Sequence, residues 1–315
     1  MILIDFSNLL KRGVFANKDE IKENPSYLFH VVCTMILNVN DMFGASRQNP
    51  VVIAVDTKPS WRNSYYVENS KDFPEYQNQT YKGNRVPDTT IDWNIISIIS
   101  NEILETLKSY SDFYIVEVPL CEADDIIAIL AKDCLKRKEM CWIISMDHDF
   151  KQLQHYPYIN LYDPIKKIVL PQFDSKRYLK LHCMSAGDDN IKQIAPKMGK
   201  KTKTAERTVD VLEEFLALNP EAKKRYKFNE TLINFEKIPL DIQENINEEL
   251  LKQTFSFDFL KLSKVFSKYS MANINERISK FKLLDVPVVT KHNTMHMLVE
   301  KKQEYMNSTL INFFD

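Results

Sequence analysis

Residues 114–149 read YIVEVPLCEADDIIAILAKDCLKRKEMCWIISMDHD, and this stretch decides the fold. Tyr114 to Val118 is a short apolar, β-branched run of the kind a sheet buries. Glu122 to Lys138 then repeats its apolar residues at helical spacing, and Cys141 to Met146 returns to a buried-strand pattern. Strand, helix and strand in so short a span make a parallel crossover unit. Acids gather where each strand gives way: Glu122, Asp124 and Asp125 open the helix, and Asp147 and Asp149 close the second strand.

The same alternation extends outward. Met1 to Phe6 and Val51 to Val55 are further strand runs, and Pro25 to Phe43 and Trp93 to Tyr110 are helical patterns. Tyr158 to Leu161, the turn signal Tyr162-Asp163-Pro164, and Lys167 to Leu170 complete the strand-bearing part. The expected class is α/β: a parallel sheet covered by helices, binding its ligand beyond the carboxyl ends of the strands. Residues Pro59 to Asp92 form a polar and aromatic insertion much longer than an ordinary connection, and loops of that length are commonly functional or mobile. From about Asp174 charged helical patterns take over. The division expected is an α/β core over 1–185, with its insertion at about 59–92, and a smaller helical region over 186–315.

Composition narrows the function classes. Five glycines, with neither GxGxxG nor GxxxxGK[ST], argue against a nucleotide cradle. The five cysteines include no CxxC pair, as in a chain with reduced, buried thiols rather than zinc or disulfides. The apolar run from Tyr27 to Val39 falls short of a membrane span, and MILIDFSN lacks the basic opening of a signal peptide. These features predict a cytoplasmic protein without membrane contact.

Asp5 ends the first strand and Asp56 the second, so four strand ends carry acids. A single such Asp is ordinarily a turn or N-cap residue, as Asp125, Asp147 or Asp149 could be. Capping does not require all of them to fall on one edge of one sheet. Carboxylates crowded there raise one another's pKa unless cations intervene, and oxygen donors without His or Cys select Mg2+ or Mn2+. An Asp-x-Asp phosphatase is the weaker alternative, because Phe150-Lys151 follows Asp147-His148-Asp149 where that chemistry wants a hydroxyl residue.

At these residues the chain resembles the 5′-nuclease superfamily, PIN-like in its core, and within it the ribonuclease H of T-even phages. ILIDFSN, VIAVD, CEADDIIAIL, ISMDHDFKQL and GDDNI occur in the family's order over roughly residues 1–210. The resemblance implies a magnesium-dependent flap endonuclease and 5′-to-3′ exonuclease acting on RNA-DNA and DNA duplexes, removing RNA primers during phage replication in a host cell. It implies two Mg2+ ions, with Mn2+ able to substitute, held directly or through water by Asp5, Asp56, Glu122, Asp124, Asp147, Asp149 and Asp189, with Asp125 behind them. The family usually reads Gly-Asp-x-x-Asp-Asn, whereas Ala186 stands here where the first Asp is expected. Asp188 is the stand-in if the loop is shorter.

Tyr81-Lys82-Gly83-Asn84-Arg85 is similar to the family's basic segment at a helical arch over the site. Lys82 and Arg85 are thereby implied to act with Asp124 and Asp147 in catalysis. Lys58, Arg62 and Lys71 of the insertion can also meet phosphates, while Trp61, Tyr65, Tyr66, Tyr76 and Tyr81 offer faces for base stacking. Lys192, Lys197, Lys200, Lys201, Lys203 and Arg207 resemble the family's helix-three-turn-helix, which grips duplex phosphates and holds a monovalent cation. The net charge is -1, yet without the nine acids of the metal region, Asp188 included, it would be +8, enough to bind a polyanion. Near the end, Leu310, Phe313 and Phe314 resemble a clamp-binding peptide with Asn307 in place of Gln. The expected partners are branched, flapped or nicked DNA, RNA-DNA duplex, a sliding clamp and a single-stranded DNA-binding protein, met by a monomer. Two rivals remain: a structure-selective DNA-binding protein that has lost cleavage, and a PIN-type endoribonuclease.

Overall fold

The computed structural model describes residues 1–76, 78–171, 174–187, 189–199 and 202–285. Six strands form one sheet: β1 (Ile2–Asp5), β2 (Val51–Val55), β3 (Tyr114–Glu117), β4 (Cys141–Ile144), β5 (Ile159–Asp163) and β6 (Ile168–Val169). Their order is β3-β2-β1-β4-β5-β6, parallel throughout except β6, which turns back antiparallel on β5 through the expected turn. β1 lies between β2 and β4, in register Ile4 to Ile53 on one side and Ile4 to Ile144 on the other. Its central, doubly covered position explains the unbroken apolar run ILI.

Alternate residues of each strand feed two cores. Ile2, Ile4, Ile53, Ile115 and Trp142 face α1 (Phe6–Ala16), α2 (Lys18–Glu23), α3 (Tyr27–Phe43) and α5 (Trp93–Tyr110). Leu3, Val52, Ala54, Val116 and Ile143 face the other way, onto α6 (Ala123–Arg137). The chain thus crosses from one face to the other between β2 and β4, and β1 marks the switch point at whose strand ends a ligand crevice opens. α4 (Trp61–Asn69) is the sole α-helix among the described residues of the insertion, whose other described residues form two 3₁₀ turns, further turns and irregular chain.

The remaining helices do not all belong to one separate region. α7 (Ser175–Ser185), α8 (Lys203–Thr208), α9 (Leu212–Leu218) and α10 (Pro220–Ile233) enclose their own apolar clusters beside the sheet. α11 (Leu240–Leu251) returns to cover α6 through Ile242 and Ile246. α12 (Phe259–Lys268) and α13 (Ala272–Asn275) put Leu262, Phe266 and Ile274 into the α3–α5 core. The helices after residue 240 thus pack in the two layers over the sheet, and charged helical patterns in sequence do not tell which face they cover. All five cysteines are free and buried. Among the described residues, no helix is long and apolar enough to cross a membrane.

Candidate active site

Asp5, Asp56, Glu122, Asp124, Asp147, Asp149 and Asp189 line one cavity of about 650 Å³ at the carboxyl ends of the strands. Asp5 ends β1 and caps α1, accepting the Asn8 amide at 2.9 Å. Asp56 follows β2 and accepts the Ala123 amide at 2.8 Å, which pins the start of α6 to the neighbouring strand end. Glu122 is the N-cap of α6 in a capping box with Asp125. Asp147 follows β4 closely and caps the 3₁₀ turn beyond, accepting the Asp149 amide at 2.9 Å. Capping and clustering are therefore not rival explanations here, since the same carboxylates do both.

The crowding has an electrostatic signature. Removal from water, with the Asp56 and Asp147 charges added, pushes the Asp5 carboxyl up to about 7. Desolvation likewise holds Asp124 well above the usual carboxylate range, with Asp147 and Asp5 raising it further. Cations from the insertion offset part of this. Lys82 Nζ lies 2.6 Å from Glu122 Oε1, and Arg85 grips Asp189 with two bonds of 2.6 and 2.9 Å. Burial opposes the Lys82 charge, yet Tyr81, Glu122 and Asp124 hold its pKa above the ordinary lysine value. Among the described residues no three His, Cys, Asp or Glu side chains stand ready to enclose an ion as they are. Glu122 and Asp189 are turned toward protein cations.

The segment carrying those cations is fixed by backbone bonds. The Lys82 amide donates to Asp189 O at 3.1 Å, and Asn190 Nδ2 donates to Thr80 O at 2.7 Å. At Gly83 a Cβ would stand 2.2 Å from Thr80 Oγ1, so the turn has no room for a side chain there.

The first 180 residues match the model of the 5′-3′ exonuclease N-terminal, resolvase-like domain. The chain belongs to the 5′-3′ exonuclease family. This exonuclease-family chain is 27% identical to Ribonuclease H of Enterobacteria phage T4 over 299 residues, covering 87% of this chain and 92% of that protein. It is 26% identical to Flap endonuclease Xni of Psychromonas ingrahamii over 167 residues, 52% of this chain and 56% of that one. Among solved structures, the T5 D15 protein crystallised with metal ions superposes with a TM-score of 0.56 at 15% identity, covering 80% of this chain and 98% of that one. A T5 D15 flap endonuclease pseudo-enzyme-product complex with DNA and metal ions superposes with a TM-score of 0.54 at 14% identity. These superpositions carry the fold alone.

The exonuclease insertion departs from expectation in its aromatics. Tyr66, Phe73, Tyr76 and Tyr81 are buried with Cys183, Ile191 and Leu232. Phe228 of α10 sits among four rings, with centroids 5.3–5.8 Å from Tyr65, Tyr66, Phe73 and Tyr76. Trp61, Tyr66 and Tyr76 are thus core side chains, not the stacking faces expected, whereas Tyr81 is buried and also lines the cavity. Arg62 is corrected too: it is 2% exposed, and its donors are taken by Leu232 O, Glu122 and Asp125. Asp125 is wholly buried against Arg62 and Trp61 and does not line the cavity.

Other residues had no place in the sequence reading. Asn8, Lys11, Arg12 and Phe15 line the cavity from α1. Their spacing from Asp5 is the signal that could have found them, since a helix opening at Asp5 turns these positions to one side. His182 Nε2 lies 3.5 Å from Asp149 Oδ1. Ala186 is buried at the end of α7 and brings no donor. Lys58, Lys71, Lys197, Lys203 and Arg207 are exposed and Lys192 is half-buried. Asp188, Lys200, Lys201, Leu310, Phe313 and Phe314 lie outside the described residues.

Proposed function

We propose that the chain is a divalent-metal-dependent 5′ nuclease that hydrolyses phosphodiester bonds at flapped, nicked or branched 5′ ends of DNA and of RNA-DNA duplexes. Its biological task, on this reading, is removal of RNA primers and adjacent DNA from lagging-strand fragments. The observation that carries it is the convergence of seven carboxylates in one cavity with Lys82 and Arg85 on its wall.

The donor set fits magnesium or manganese: all oxygen, clustered, and with the pKa values of Asp5 and Asp124 raised by burial and then by neighbouring carboxylates. Asp5, Asp56, Glu122, Asp124 and Asp147 would hold one ion, and Asp149 and Asp189 would share a second, directly or through water. Two such ions supply Lewis-acid stabilisation of the scissile phosphodiester and lower the pKa of water.

The protein's own groups do the rest. Lys82 and Arg85, seated on a fixed turn, would exchange a carboxylate for the phosphate and offset the charge that develops on it. The exposed Lys197, Lys203 and Arg207 would hold the duplex by its phosphates, setting its register without reading sequence. Its similarity to proteins named Ribonuclease H and Flap endonuclease Xni supports the same substrate class.

The decisive assay offers a 5′-flapped DNA and a nicked RNA-DNA duplex with Mg2+. Both are expected to be cut, and chelation is expected to stop cleavage. A protein that binds the flap and leaves it uncut would instead be a structure-selective binder. One that cuts only single-stranded RNA would be a PIN-type endoribonuclease.

A further inference from the structure

Arg62 is the largest charged side chain with almost no exposure, and its fork is divided in an unusual way. Nη2 lies 2.7 Å from Asp125 Oδ1 and Nη1 2.8 Å from Asp125 Oδ2. Nη1 also reaches Glu122 Oε2 at 3.1 Å, and Nε donates to Leu232 O at 2.8 Å. Asp125 is further held by Trp61 Nε1 at 3.0 Å and the Glu122 amide at 3.1 Å, and the guanidinium covers the Trp61 ring at 4.5 Å.

A buried ion pair is a poor stabiliser compared with apolar side chains of the same volume, because both charges leave water. Stability alone is therefore a weak account of this network. Its distinguishing feature is that one carboxylate, Asp125, never sees the cavity, while the other, Glu122, lines it.

We propose that Arg62 is a positioning residue: braced on Asp125 and on Leu232 of α10, it fixes Glu122 Oε2 and leaves Oε1 aimed into the cavity. Lys82 Nζ, 2.6 Å from Oε1, marks where a cation is met. Tyr81 hydroxyl, 3.4 Å from Oε2, closes the same side. Only a planar, five-donor fork can serve two carboxylates and a carbonyl together; a lysine at this position would satisfy Asp125 and release Glu122. Arg62 belongs to α4, so the same side chain seats the insertion against the site and the helical body at once. The inference rests on the reading of this cavity as a metal-dependent cleavage site.

The test is Arg62→Lys, which keeps the charge and alters only the geometry. Metal affinity is read by calorimetric titration with Mn2+, and kcat and KM on 5′-flapped DNA. Partners that orient a metal ligand are worth about 10–100-fold in affinity or activity, so Kd should rise and kcat fall by about 10-fold or more. KM should stay within about twofold, since the duplex contacts are untouched. A second variant, Arg62→Met with Asp125→Asn, removes the Arg62 and Asp125 charges together, leaves Glu122 its Lys82 partner and should show the same losses in a folded protein. Either variant binding Mn2+ and turning over like wild type overturns the inference. So does a loss of kcat that vanishes at a temperature where variant and wild type are equally folded. A wild-type protein that binds no Mn2+ and cuts no flap removes the underlying reading as well, whereas a competent wild type matched by Arg62→Lys removes this inference alone.

Discussion

The two ends of the acidic cavity are built differently. At the α6 end, Glu122 and Asp125 are held by Arg62, Trp61 and the capping box, all of them buried. At the α7 end, Asp189 is held by Arg85, whose side chain is 56% exposed, and Asp149 stands 3.5 Å from His182. Rigid burial preorganises the first set before any ligand arrives, at the expense of desolvation. Asp189 thus relies on a partner that is itself largely exposed, and exposed charges are weakly held and screened by salt. One site thus joins a wall braced by buried side chains to a wall with more exposed partners.

The largest expected effect falls on two carboxylates that line the cavity, Asp124 and Asp147. Asp124→Asn or Asp147→Asn should reduce cleavage by at least ~10²-fold, in line with removing a group that stabilises the transition state. Duplex binding should survive, because neither carboxylate meets a phosphate. Near-normal turnover in either variant would end the assignment of the cavity.

Next comes the contrast itself. Arg62→Met should cost about 3–5 kcal/mol by orphaning Asp125. Arg85→Ala, removing an exposed pair, should cost no more than about 1 kcal/mol. Chemical denaturation of the two variants compares them directly, and equal losses would erase the distinction between the walls. Arg85→Ala and Lys82→Ala should instead slow single-turnover cleavage more than they weaken binding.

A pH scan sharpens the same comparison. Asp5 has its folded-state pKa raised to about 7, so the folded state holds a proton that the unfolded chain releases at lower pH. In chelator, this contribution to stability is present below the ordinary carboxylate range and lost as pH rises through 7. The melting temperature should therefore decline across that window without metal and flatten when Mg2+ is saturating. A profile unmoved by Mg2+ would detach the raised pKa from cation binding. The smallest effect concerns duplex grip: Lys197→Ala with Lys203→Ala should reduce the salt slope of binding by roughly 0.9 per lost phosphate contact.

Much of this was legible before any coordinates. The strands were readable because doubly covered parallel strands must be apolar on both faces, as ILI and VVIAV are. Once they are placed, the acids after them have to share an edge, which is why Asp5, Asp56, Glu122, Asp124, Asp147 and Asp149 could be named together. The insertion was not readable in the same way. A tyrosine that stacks on a base and one that packs on Phe228 look alike in sequence, because the partner lies far away in the chain. Arg62 was misread for a related reason: charge in a loop suggests solvent, and the long-range partner that buries it, Leu232, is 170 residues away.

The sequence by itself determined the sheet, the acidic edge and the family, because all three follow from local patterning repeated in a fixed order. Only the tertiary structure decided which cations face the acids, which aromatics are core, and that the helices after residue 240 close the sheet rather than stand apart. Those outcomes depend on contacts between segments far apart in the chain, whose pairing is set by packing and desolvation over the whole molecule and leaves no local periodicity to read.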